Sequence, residues 1–216
     1  MAKQNSINNK SQNITLDPGA SRDSFLQFDI NGTGEFRIGV DDADADSFKI
    51  SQGSSLGTND TFKMTAAGER TMPLHPAFQA YLSSNQSNVT GDNTGYTVIC
   101  DTEVFDQGGD YNNGTGIFTA PIDGRYFFVG QISLDDLTTS HTRAVHRLHS
   151  TTSWIYLLDA NFGAMMNPTT NLKLSGSIFM DLDAADEVYL QSTALNGAKV
   201  VDVLSGDTRF SGYLIC

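Results

Sequence analysis

Between Ile14 and Gly68 apolar residues come in brief runs, "SFLQFDI", "EFRIGV", "SFKIS" and "TFKMT", separated by Gly, Asn and Asp. Alternation over so few residues, bounded by turn formers, predicts short β-strands. The runs also echo one another. Asp46-Ser47-Phe48-Lys49-Ile50-Ser51 returns as Asp60-Thr61-Phe62-Lys63-Met64-Thr65, and Asp23-Ser24-Phe25 repeats the start of both. The two-residue period puts Phe48 with Ile50, and Phe62 with Met64, on one strand face. A unit this small with one apolar face must stack on something, and identical strands of other chains are the simplest partner for these four residues.

"GERTMPLHPAF" sets Pro73 and Pro76 three apart, which favours a stiff, extended connector. Beyond it the apolar signals lengthen: "GYTVICDTEVF", "TGIFTAP", "GRYFFVGQISL", "HTRAVHRLH", "SWIYLLDA", "LKLSGSIFMDL", "DEVYLQSTA", "AKVVDVL" and "RFSGYLIC". Closely spaced strands rich in aromatic and β-branched residues, with no helical pattern between them, read as an antiparallel sandwich or barrel. The first residues are polar and aperiodic. The expected organisation is an all-β chain with a flexible attachment tail over 1–13, a β stem over 14–72, a Pro linker over 73–76 and a head over 77–216.

Composition narrows the partners. With 25 acidic against 13 basic residues the net charge is −12, so long-range fields repel phosphate backbones, and no nucleic acid is expected. No run of apolar residues is long enough for a membrane span, and "MAKQNSINNK" has no signal-peptide core, so no membrane insertion and assembly in the cytoplasm are expected. Cys100 and Cys216 are too few for a disulfide scaffold and lack zinc spacing; they read as free thiols, a bridge between them requiring neighbouring strands.

"FDQGGDYNNGTGIFTAPIDGRYFFVG" and the closing "FSGYLI" resemble the globular head of complement component 1q, a branch of the tumour-necrosis-factor-like jelly rolls. Asp106, Tyr111, Phe118, Gly124, Tyr126 and Phe128 fall in register with that family's signature. Cys100 and Gly130 depart from it where aromatics are expected. The resemblance covers most of 77–216 and implies a homotrimer, with aromatic residues, Tyr111, Phe118, Tyr126, Phe128 and Phe210 among them, filling the core or the threefold contact. "FRIGVDDADADSFKIS…LGTNDTF…GERTMP" is similar to stems of bacteriophage tail fibres, which implies a trimeric stem.

Candidate chemistry is sparse. Asp42, Asp44 and Asp46 take the first, third and fifth places of a calcium loop, but Ser47 replaces the needed Gly and Gly53 the bidentate Glu. They read as a solvated turn, with Ca2+ the open alternative because a trimer brings three copies together; otherwise no cofactor is expected. Asp181, Asp183, Asp186 and Glu187 read as a polar strand edge running into a turn, and His141, His146 and His149 do not share a metal-binding face. No nucleophile motif appears, so no enzyme is expected. Arg143 and Arg147, with Trp154 and Tyr156 on one strand face and Phe162 and Met165 following, are the candidate ligand-binding residues; exposed rings would stack on sugars.

The sequence thus leads to a trimeric phage fibre, located in the virion, anchored to another virion protein through its tail, with a head that binds a host surface glycan or protein. A capsid-attached head fibre or decoration protein is the alternative, and a complement-type cellular recognition module the third reading.

Overall fold

A computed structural model describes Leu16, Gly19 and residues 22–161 and 171–216. The expected attachment tail, and Phe162 and Met165, lie outside the described residues. Strand prevails throughout, and among the described residues the one helical piece is a 3-10 turn at Asp42–Asp44. The chain divides into two compact units, Met1–Leu74 and His75–Cys216.

The first unit is an antiparallel meander of β1 (Ser24–Ile30), β2 (Thr33–Asp41), β3 (Ser47–Gln52), β4 (Asp60–Met64) and β5 (Arg70–Thr71), each beside its neighbour in sequence. Asn31 and Gly32, both at positive φ, close the first hairpin, the pairing that a two-residue turn requires. Cross-strand register aligns Val40, Phe48 and Met64 in one row and Ile38, Ile50 and Phe62 in the next. Phe48 meets Phe62 edge to face at 6.4 Å. Leu26, opposite Ile38, and the Phe28–Phe36 pair extend this apolar face, which the unit itself leaves open, with Phe28 57% exposed.

The other phase of β3 is the buried one. Ser47, Lys49 and Ser51 are almost fully covered, whereas Phe48 and Ile50 are only half-buried. Leu56 is buried nearby, and the Gly57 N–H donates to Ser51 Oγ (3.1 Å). Polar residues take the covered face here because they find ionic and hydrogen-bond partners on it, described below.

The second unit holds β6 (Ala77–Tyr81), β7 (Gln86–Thr90), β8 (Tyr96–Thr97), β9 (Thr102–Gln107), β10 (Tyr111–Asn112), β11 (Ile117–Thr119), β12 (Gly124–Asp135), β13 (Arg143–Ser150), β14 (Trp154–Ala160), β15 (Leu172–Leu182), β16 (Glu187–Leu195), β17 (Val201–Val203) and β18 (Arg209–Leu214). They form two antiparallel sheets. One runs β10-β11-β16-β13-β14, with β8 on β16; the other runs β7-β17-β12-β18-β6-β9, with β15 on β12.

The core lies between the sheets and draws on both. Phe78 stacks on Tyr111 (4.6 Å) and Phe118 (5.2 Å), and Phe118 meets Tyr126 and Phe128 edge to face at 5.5 Å each. Phe210 closes the group against Phe78. Burying such a side chain contributes about 1.5–3 kcal/mol. The two phenols keep their hydroxyls satisfied: Tyr111 donates to the Cys100 carbonyl (2.9 Å) and Tyr126 to that of Ile122 (2.8 Å).

Gly130 explains one departure from the family pattern. A Cβ there would meet Leu190 and Leu157 side chains at 2.7 and 2.8 Å, and one on Gly176, its cross-strand partner, would meet the Leu157 carbonyl at 2.6 Å. The space an aromatic would take is filled by leucines from the opposite sheet, so only glycines let the layers approach this closely.

Candidate ligand-binding surface

On β13 the side chains of Ala144, His146 and Leu148 turn into the sandwich and are buried. Arg143, Arg147 and His149 therefore face outward. β14 runs beside it with a bulge opposite His146 and Arg147, which sets Tyr156 across from Arg147 and Trp154 across from His149. Trp154 and Tyr156 are 51% and 41% exposed and meet edge to face at 4.8 Å. The Arg147 guanidinium lies over both rings, 5.1 Å and 5.0 Å from their centroids.

The two arginines expected to act alike do not. Arg143 makes a two-pronged ion pair with Asp159, its Nε donating to Oδ1 at 2.6 Å. Hydrogen bonds from Arg143 hold the Asp159 carboxyl below its ordinary value. Arg147 has no carboxylate partner in an ion pair among the described residues. Next to it His149 stacks on Tyr189 (4.9 Å) and its Nε2 meets Gln191 Oε1 (3.1 Å). Sequence reading missed Tyr189 and Gln191, which sit opposite His149 and Arg147 on β16; only the strand register brings them there.

The other histidines are structural. His141 lies before β13 and is fully buried: its Nδ1 accepts from the Thr138 N–H (2.9 Å), so its Nε2–H donates to the Ala198 carbonyl (2.9 Å). It has no part in the outward surface. Burial pushes the His146 imidazole down to about 4. Neither ring nitrogen, nor Ser192 Oγ opposite, has a hydrogen-bond partner among the described residues.

Tyr111, Phe118, Tyr126, Phe128 and Phe210 are packed inside one chain, so of their two expected roles they fill the core. The aromatics turned away from it are the alternate set. Phe127 packs on Phe179 (4.9 Å) and Tyr213 (5.7 Å) on the outward face of the β12 sheet, and Phe105 joins them beside a groove of ≈ 420 Å³ that His75 and Val129 also line. Phe179 is 68% exposed. The signal was present in the opposite phase of the same strands.

The acidic stretch is not simply solvated. Asp41 is buried, and its Oδ1 accepts the Ala43 N–H to start the turn. Lys49 Nζ contacts Asp41 (2.8 Å), Asp44 (2.7 Å) and Asp60 (3.2 Å), and Lys63 also reaches Asp44 (2.6 Å). Burial alone would lower the Lys49 pKa, but hydrogen bonds to the three carboxylates outweigh it and hold it above the ordinary lysine value. Hydrogen bonds from Lys49 and Lys63 in turn lower Asp44. Asp42 and Asp46 are exposed. Among the described residues no three His, Cys, Asp or Glu are placed to share a metal ion.

The Asp186 N–H donates to the Asp183 carbonyl and the Asp183 N–H to the Asp186 carboxylate, closing a turn as the sequence suggested. Cys100 and Cys216 are both free, as read from the sequence, Cys100 buried in the core and Cys216 exposed. Burial pushes the Cys100 thiol up to about 12.

Two facing antiparallel sheets with this strand order define a jelly-roll head. The family model for the C1q domain matches residues 77–215, and the chain belongs to that family. Among solved structures the chain is similar to the globular domain of zebrafish complement 1qA protein, at 23% identity over 65% of this chain and 98% of that one (TM-score 0.47). It is also similar to murine APRIL (13%, 65% and 99%, TM-score 0.46) and to Eiger TNF from S. frugiperda (15%, 66% and 93%, TM-score 0.47).

Proposed function

We propose that the chain is a non-enzymatic, homotrimeric fibre of a bacteriophage virion whose head recognises a host surface molecule. One observation carries this reading: each of the two units leaves an apolar sheet face uncovered. In the first it is the face of Leu26, Phe28, Phe36, Phe48, Ile50, Phe62 and Met64; in the second it is Phe105, Phe127, Phe179 and Tyr213. Exposed patches of this kind mark association surfaces, and a cyclic trimer buries such a face of each unit against its copies. Domains of the C1q family are usually trimeric recognition modules, and the stem's similarity to tail-fibre sequences supports the virion setting. Three copies per fibre, and many fibres per particle, let weak single contacts hold a host. Residues 1–13 serve to attach the fibre to another virion protein.

Light scattering on the purified chain should give three times the chain mass, and Phe179→Glu should reduce it to one. A wild-type monomer at micromolar concentration would sink the assembly. Gold-labelled antibody on intact particles then separates a tail fibre from a capsid decoration, while absence from every particle favours a complement-type cellular module, a reading with which the family match is compatible.

A further inference from the structure

Arg147 is left without a hydrogen-bonded or ion-paired partner for its charge among the described residues. Its Nε is buried without a hydrogen-bond partner among the described residues, and no carboxylate there pairs with it. Residues 162–170, which follow β14, contain no Asp or Glu that could do so. Arg143, four residues away on the same face, has its own Asp159. What Arg147 has instead is two exposed rings, Trp154 and Tyr156, each about 5 Å from its guanidinium carbon. Asp159, committed to Arg143, attracts Arg147 only through space, and a partly desolvated cation without a carboxylate in contact costs free energy that an incoming one would offset.

We infer that this outward face of the β13–β14 hairpin binds a carboxylate-bearing sugar. The carboxylate pairs with the Arg147 guanidinium, for which the planar two-donor geometry is suited. The C–H face of the pyranose stacks on Trp154. Gln191, placed opposite Arg147 on β16, supplies an amide for a ring hydroxyl. The ligand carries one or few charges, because a net charge of −12 repels an extended polyanion. This inference rests on the proposed recognition role of the head and on trimer formation through the opposite sheet, which leaves the β13–β14 face open.

The test is saturation-transfer NMR on the full chain with methyl β-glucuronide and methyl β-glucoside, which share a ring and differ by the carboxylate. The methyl glycoside of N-acetylneuraminate serves as a second acidic sugar, and acetate as a carboxylate without a ring. At least one acidic sugar should bind about tenfold more tightly than the glucoside and than acetate. Arg147→Gln should erase that preference, and Trp154→Ala should abolish transfer to the ring protons, with trimer mass and melting temperature kept in both. Arg147→Lys, which retains charge but not the fork, should bind weakly and guards against a folding artefact in the glutamine variant.

Equal binding of glucuronide and glucoside, silence from both acidic sugars, or an unchanged preference in Arg147→Gln overturns the site. Adsorption of the chain to host cells separates this from the broader reading. If Arg147→Gln coats cells as the wild type does, the site fails and the recognition role stands; if the wild type prefers the acidic sugar but coats no cells, the recognition role fails alone.

Discussion

At the scale of single residues, His146 makes stability depend on pH although it is buried. Its pKa of about 4 in the fold stands below the ordinary value near 6.5 in the unfolded chain. Between those values the unfolded chain binds a proton that the folded chain refuses, so stability falls as pH drops from about 6.5 to about 4, by about 3 kcal/mol at most. Urea titrations across that range should show the loss, and His146→Leu should flatten it; an unchanged slope in the variant assigns the effect elsewhere. The two thiols should likewise differ. Cys216, exposed, should react at once with a thiol reagent, and Cys100, buried with its pKa pushed up to about 12, only on unfolding.

At the scale of elements, the Gly130–Gly176 pair marks where the two layers of the head come closest. Gly176→Ala should cost about 1–3 kcal/mol by overpacking, and more than Gly130→Ala, because its added carbon meets a backbone carbonyl and not movable side chains. In the stem, Lys49→Ala strands the buried Asp41 carboxylate and should destabilise the sheet by about 3–5 kcal/mol, read by hydrogen exchange in β2 and β3. The strands of the head were legible in the sequence wherever alternation ran long, as in β12, β15 and β16. The short β7 and β10 were not, since "QSNVT" and "YN" carry too little apolar pattern to be told from loop. In the stem the period and the apolar face it defines were legible, but not the cover on the other face: nothing in "SFKIS" announces that Lys49 has three carboxylates from β2, the turn and β4 to receive it. Of the candidate ligand surface, Trp154, Tyr156, Arg143 and Arg147 were visible as residue types. That Asp159 occupies one arginine and leaves the other is a fact of register.

At the scale of the whole molecule, association and folding should be one event. A chain whose two units each leave an apolar face open gains much of its stability on meeting its copies, so the melting temperature should rise with protein concentration; a constant value over a hundredfold dilution would speak for an independently stable monomer. Chelator should leave that temperature unchanged, because the charge that balances Asp41, Asp44 and Asp60 is the Lys49 ammonium; a large drop would restore a metal to the acidic turn. The same lysine bears on growth without limit. A small sheet that is sticky on both sides can add layers indefinitely, the route by which strands become fibrils. Here one side is closed by ions and hydrogen bonds within the chain, so a copy that docks on the other offers no fresh surface to the next, and the stem is one-sided by construction.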